Sequence, residues 1–234
     1  MDRRQFSSSA ISALSLAAMA VWEEAKAAGI ADLSNAEASQ GLKTALERGA
    51  VAAVDLLGKP DGFLANPKVR IPLPGFLADA AKFLRAMGRG KQIEELEVAM
   101  NRAAEAAVPM ARQLLVNAVK TMTVTDAKNI LTGGDTSVTT FFADKTRAAL
   151  SARFLPVVTK ATEKVGLAEK YNRVAGKASG MGLVKKEDAT IEQYVTRKTL
   201  DGLYFVIGEE EKKIRQDPVG SGSAILKKVF GALK

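Results

Sequence analysis

The sequence predicts an all-α protein, a single multi-helix bundle with one extended proline-rich strap at about residues 61–74. Three observations predict it. Apolar residues recur at helical spacing along most of the chain, and no alternating strand pattern outlasts the strap. Aromatics make up only 6% of the 234 residues, alanine is abundant and there are seven prolines, a composition that leans to helix. Capping signals stand where the apolar runs begin.

Residues 1–27 read as a targeting segment. Arg3 and Arg4 form a positive start, and Ser7 to Val21 is mildly apolar but too short and polar to anchor in a bilayer. Ala25-Lys26-Ala27 offers a small-x-small cleavage site, and Arg3-Arg4-Gln5-Phe6 resembles the twin-arginine export signature. The expected organisation is a signal peptide over 1–27, a helical domain over 28–217, and a hinge plus C-terminal amphipathic helix over 218–234. Export places the chain in the periplasm.

The helical domain opens with a capping box, Ser34-Asn-Ala-Glu37. Behind it Leu42, Leu46, Ala50, Ala53 and Leu57 share a face, and Gly58 ends the helix. Prolines 67, 72 and 74 then force extension, because proline fixes its own φ and disfavours α for the residue before it. Val69, Ile71 and Leu73 give that strap one apolar side. A short helix from Phe76 to Met87 is expected to turn Phe76, Ala80, Phe83, Leu84 and Met87 inward and to end at Gly88. The longest helix, roughly Lys91 to Thr121, carries Ile93, Leu96, Met100, Ala103, Ala104, Ala107, Leu114 and Leu115, with a kink at Pro109.

Thr123-Val-Thr-Asp126 caps a short helix that stops at Gly133-Gly134. Asp135 or Thr136 opens a helix carrying Val138, Phe141, Phe142, Ala149 and Leu155 as far as Pro156. Two more helices flank Gly166, and a loose Gly180-Met-Gly182 turn precedes the capping box Thr190-Ile-Glu-Gln193. The helix after it buries Tyr194, Leu200, Leu203, Tyr204 and Ile207. Glu209→Lys213 and Glu211→Arg215 then pair on a solvated tail. In the terminal piece Ile225, Leu226, Val229 and Phe230 oppose Lys227 and Lys228.

The chain contains no histidine and no cysteine. That excludes Ser-His-Asp and Cys-His nucleophiles, thiolate catalysis, iron–sulfur clusters, haem ligation, ordinary zinc sites and thioether lipid anchors. No cofactor and no metal is expected, no catalytic residue is identifiable, and the leaning is to a protein that is not an enzyme.

Three constellations remain as binding candidates. Glu94, Asn101, Glu105 and Arg112, with Arg102 beside them, line one flank of the long helix, where Pro109 would free the Glu105 carbonyl for a ligand or Arg112. The plain alternative is a set of structural hydrogen bonds and ion pairs. Gly133-Gly-Asp135-Thr136-Ser137 stands at a helix N-terminus able to hold an anion, although a C-cap followed by an N-cap explains the same residues. Asp126, Asp135, Glu105 and Glu94 would make an acid/base pair or oxygen-only metal site if two of them met. A small-ligand or enzyme site around Asn101, Glu105 and Asp126 is thus one alternative function, and a structural or oligomeric scaffold is another.

Charge suggests a different one. The formal charge is +8, and Arg3, Arg4 and Lys26 cancel Asp2, Glu23 and Glu24, so cleavage leaves it intact. Lys145, Arg147, Arg153, Lys160, Lys164, Lys170, Arg173 and Lys177 are interrupted only by Glu163 and Glu169, and Lys185 and Lys186 extend the run. For an exported protein nucleic acid is not the expected partner. An anionic envelope lipid or an acidic partner is, with no transmembrane anchor in the mature chain.

Five stretches together resemble a known family, the exported bacterial domain of unknown function DUF 4197. They are Asp61 to Pro74, Met100-Asn-Arg-Ala-Ala-Glu-Ala-Ala-Val-Pro109, Met122 to Thr136, Leu200-Asp-Gly-Leu203 and Glu209-Glu-Glu-Lys-Lys-Ile-Arg215. The resemblance implies an all-helical, envelope-located protein and no reaction. Members often carry a cysteine after the signal; this chain has none, so the expected state is not lipid-anchored.

Overall fold

The computed structural model describes residues 35–216 except Asp135. The expected targeting segment, Ser34 of the first capping box, and the terminal hinge and amphipathic helix lie outside the described residues. The described residues divide into two units, Leu46–Lys212 and a smaller one to which 35–45 and 213–216 belong. In the described part of the smaller unit Leu42 and Ala45 are buried.

The elements in chain order are α1 (Asn35–Leu57), α2 (Gly75–Ala86), α3 (Gly90–Ala107), α4 (Ala111–Lys120), α5 (Val124–Thr132), α6 (Ser137–Thr162), α7 (Gly166–Gly180) and α8 (Ile191–Gln216). Short 3₁₀ turns stand at Val108–Met110 and Lys186–Asp188. Among the described residues no strand forms, so the fold is all-α as the periodicity predicts. The strap is extended only over residues 70–74; residues 60–69 form turns instead, with the Asn66 carbonyl accepting from the Val69 and Arg70 N–H groups.

The core of the larger unit is built on α3 against α6. Helix α2 packs on α3, α4 and α5 pack on α6, and α7 leans on α3. Ile93, Leu96 and Met100 of α3 and Phe142, Leu150, Phe154 and Val158 of α6 are fully shielded. Each such side chain contributes about 1.5–3 kcal/mol of transfer free energy.

Prolines act differently at two places. Pro109 does more than kink the long helix: α3 ends at Ala107, a 3₁₀ turn follows, and α4 begins anew at Ala111. The ring sits against the end of α1, where a Cβ on Gly58 would meet Pro109 Cγ at 2.9 Å. Pro156, expected to end a helix, lies inside α6. Both Pro156 and Ala152, whose carbonyl would have taken the missing N–H, are exposed, so water can satisfy that group.

Two helical faces are rotated from expectation. In α2 Leu77 and Ala81 are buried, while Phe83 and Met87 stand 67% and 58% exposed. In α6 Leu150 and Phe154 fill the core, while Ala149 and Leu155 face outward. Beyond α7 the Gly180-Met-Gly182 turn is tight rather than loose. Gly182 has φ +76°, its N–H donates to the Ser179 carbonyl, and the Leu183 N–H donates to the Ala178 carbonyl at 2.9 Å. That pattern is a Schellman cap. The end of α8 is not wholly solvated either: Glu211 is buried, and Glu209 reaches Lys68 at 2.8 Å.

Candidate functional site

The polar flank of α3 is a clamp on the strap. Asn101, fully buried, accepts from the Ile71 N–H through Oδ1 at 2.8 Å and donates from Nδ2 to the Ile71 carbonyl at 3.0 Å. Its amide thus does for Ile71 what a neighbouring strand would do. One turn on, Glu105 Oε1 accepts from the backbone N–H groups of Phe63 and Leu64, both at 3.0 Å. Its Oε2 accepts from Arg102 at 2.7 Å, and Arg102 also donates to Asp61 at 2.8 Å. Hydrogen bonds to Glu105, then to Asp61, raise the pKa of the Arg102 guanidinium further above its ordinary value. Asp61 has φ +68°, a left-handed conformation that aspartate tolerates in turns.

Helix α8 also contacts the same strap. Tyr194 donates its hydroxyl to the Pro72 carbonyl at 3.0 Å. Gly202 lies so close that a Cβ would meet Phe63 Cε1 at 2.8 Å and Val69 Cβ at 3.3 Å. Three of the stretches that carry the family resemblance therefore form one assembly: the strap, its clamp on α3, and the glycine beneath it on α8.

The remaining nominated residues are dispersed. Arg112 pairs with Asp55 of α1 and not with the Glu105 carbonyl. Asp126 closes the capping box of α5, accepting from the Thr123 N–H at 3.0 Å and hydroxyl at 2.8 Å. The Thr123 N–H, then its hydroxyl, hold the Asp126 carboxyl below its usual range. Asp126 lies with Thr136 and Lys145 on a groove of about 540 Å³ between α5 and α6, with Asn129, Thr140 and Asp144 beside them. Asp135 lies outside the described residues. Asn101, Glu105 and Asp126 thus serve different partners and do not gather at one cleft. Among the described residues no three carboxylates stand close enough to hold a metal ion.

A further cluster has little trace in the sequence. Arg197 bonds Asp188 at 2.7 Å and reaches Asp201 at 3.4 Å, and Arg147 bonds the same Asp201 at 3.0 Å. These guanidiniums lie over Tyr194 and Tyr204, respectively. Burial pushes the Tyr171 and Tyr194 hydroxyls up to about 12 and raises Tyr204 as well. Only the Arg197–Asp201 spacing of four signalled any of this.

The ten basic residues divide. Lys145, Arg147, Arg173 and Lys185 have carboxylates nearby in Asp126, Asp201, Glu169 and Glu187. Arg153, Lys160, Lys164, Lys170, Lys177 and Lys186 are exposed with no carboxylate in ion-pair range among the described residues. Arg153 and Lys160 share a face of α6, and Lys170 and Lys177 share one of α7, each pair seven residues apart.

These features define a class: an all-helical protein with a clamped strap and exposed basic faces on α6 and α7, and no described helix long and apolar enough to cross a membrane. The chain belongs to the family described as "Protein of unknown function (DUF4197)", which matches residues 32–231. No curated protein and no solved structure matches it significantly.

Proposed function

We propose that the protein is a non-catalytic envelope protein that binds an anionic lipid surface through the exposed basic residues of α6 and α7. The observation that carries this reading is the solvent face of α7. Lys170 and Lys177 stand there without carboxylate partners, with the exposed Val174 between them. Cations over an apolar residue suit a surface that is charged outside and apolar beneath, which favours lipid over an acidic protein. The export reading of residues 1–27 supplies the setting, a periplasm bounded by anionic headgroups.

Co-sedimentation of the full chain at low salt with phosphatidylglycerol-rich and with phosphatidylcholine vesicles tests it. Recovery with the anionic vesicles alone, lost as salt rises, is expected; equal recovery with both overturns the reading. Each cation near such a surface contributes about 1 kcal/mol, so Lys170→Gln with Lys177→Gln weakens binding about thirtyfold.

A further inference from the structure

We infer that the Met181-Gly182-Leu183 turn at the end of α7 is a wedge that enters the acyl layer of the anionic bilayer. This rests on the lipid reading above and adds the site and mode of insertion. Leu183 and Met181 are 77% and 73% exposed, the highest values among the large hydrophobic residues described. In a Schellman cap the residue after the glycine ordinarily folds back onto an apolar side chain at the end of the helix. Here the positions one turn back are Lys177 and Ala178, and Leu183 stays in solvent. Internal packing gives no reason for its side chain.

The amides of the tip suit an apolar medium. The N–H groups of Met181, Gly182 and Leu183 all donate to carbonyls of the last turn of α7, those of Lys177, Ala178 and Ser179. A loop with open donors would resist entering hydrocarbon; this one brings its three tip amides already bonded. Gly182 holds φ +76°, so the cap sets the angle at which both side chains project.

The charges are placed to match. Lys170, Val174, Lys177 and Met181 follow one another at spacings of four, three and four, so the tip continues the basic stripe of α7. Lys177 precedes the tip and Lys185 and Lys186 follow it, all exposed. Glu187 approaches Lys185 only to 3.9 Å, with both side chains in water. Lysine stems lie along apolar surface while their ammonium groups stay at headgroup level, which leaves Met181 and Leu183 to go deeper.

A fluorescent reporter distinguishes insertion from surface adsorption. In full chain carrying Trp22→Phe, Leu183→Trp is added in one variant and Val124→Trp, an exposed site on α5, in another. Phosphatidylglycerol vesicles with acyl-brominated lipid should quench and blue-shift the tryptophan at 183 and leave that at 124 unchanged. Met181→Ser with Leu183→Ser should bind the same vesicles about tenfold more weakly at moderate salt, with an unaltered thermal melt. Sedimentation without quenching at 183 overturns the wedge and leaves the basic-face reading standing. No sedimentation of the unmodified chain overturns both.

Discussion

At position 105 a single carboxylate holds three donors: two strap amides on one oxygen and Arg102 on the other. Glu105→Ala orphans the buried Phe63 N–H, at about 1–3 kcal/mol, and the part-buried Leu64 N–H, which water can reach, at about 1 kcal/mol, so a loss of about 2–4 kcal/mol is expected in urea unfolding. Glu105→Gln keeps an acceptor for both amides and loses only the charge facing Arg102, so about 1 kcal/mol is expected. A result in which the two variants are equally destabilised would show that the ion pair, not the strap, is what Glu105 serves. Asn101 and Glu105 were legible in the sequence as a polar flank beside an apolar stripe. Their partners were not. The amides they hold lie 30 to 42 residues earlier, on backbone that carries no side-chain signature of being held.

Helix α8 approaches the strap at Gly202, and the approach depends on a missing Cβ. Gly202→Ala gains up to about 1 kcal/mol of helix propensity, against overpacking of about 1–3 kcal/mol on the buried Phe63 ring. The expected outcome is a net loss of stability and a lower Tm; a rise in Tm would mean that the ring moves freely. Helices were mostly readable, because helical periodicity and caps are local; the strap was less so, since residues 60–69 form turns and only 70–74 run extended. Thr123 and Asp126 form both halves of their box as the spacing predicts. Faces were less readable. In α2 Leu77 and Ala81 face inward and Phe83 does not, since helix α3 covers only one side of so short an element. At Pro156 the local rule predicted a stop, and exposure of the freed carbonyl's region lets α6 run through.

At the scale of the whole molecule, the hydroxyls of two buried tyrosines tie distant segments together. Tyr171 and Tyr194 donate to the Asp188 and Pro72 carbonyls, and burial raises both hydroxyls from about 10 to about 12. The folded state therefore holds protons that the unfolded chain has released between those values, so stability is unchanged below about pH 10 and falls from there to about pH 12. Urea unfolding across that range, with Tyr171→Phe and Tyr194→Phe together flattening the fall, checks it. In the sequence, the proposed envelope location and lipid partner had only charge and the first 27 residues to speak for them. The strap also carries a consequence for the order in which the chain matures. Its bonds run to α3 some 30 to 42 residues away, but also to Tyr194 and Glu209, 122 and 141 residues downstream. Chain emerging from a ribosome exposes the strap long before α8 exists to cover it. The clamp on α3 can seat first, at modest loop-closure entropy, while closure by α8 waits for synthesis to reach the far end. Until then Val69 lacks the cover that Gly202 of α8 gives it, and the nascent protein offers a chaperone an apolar segment there.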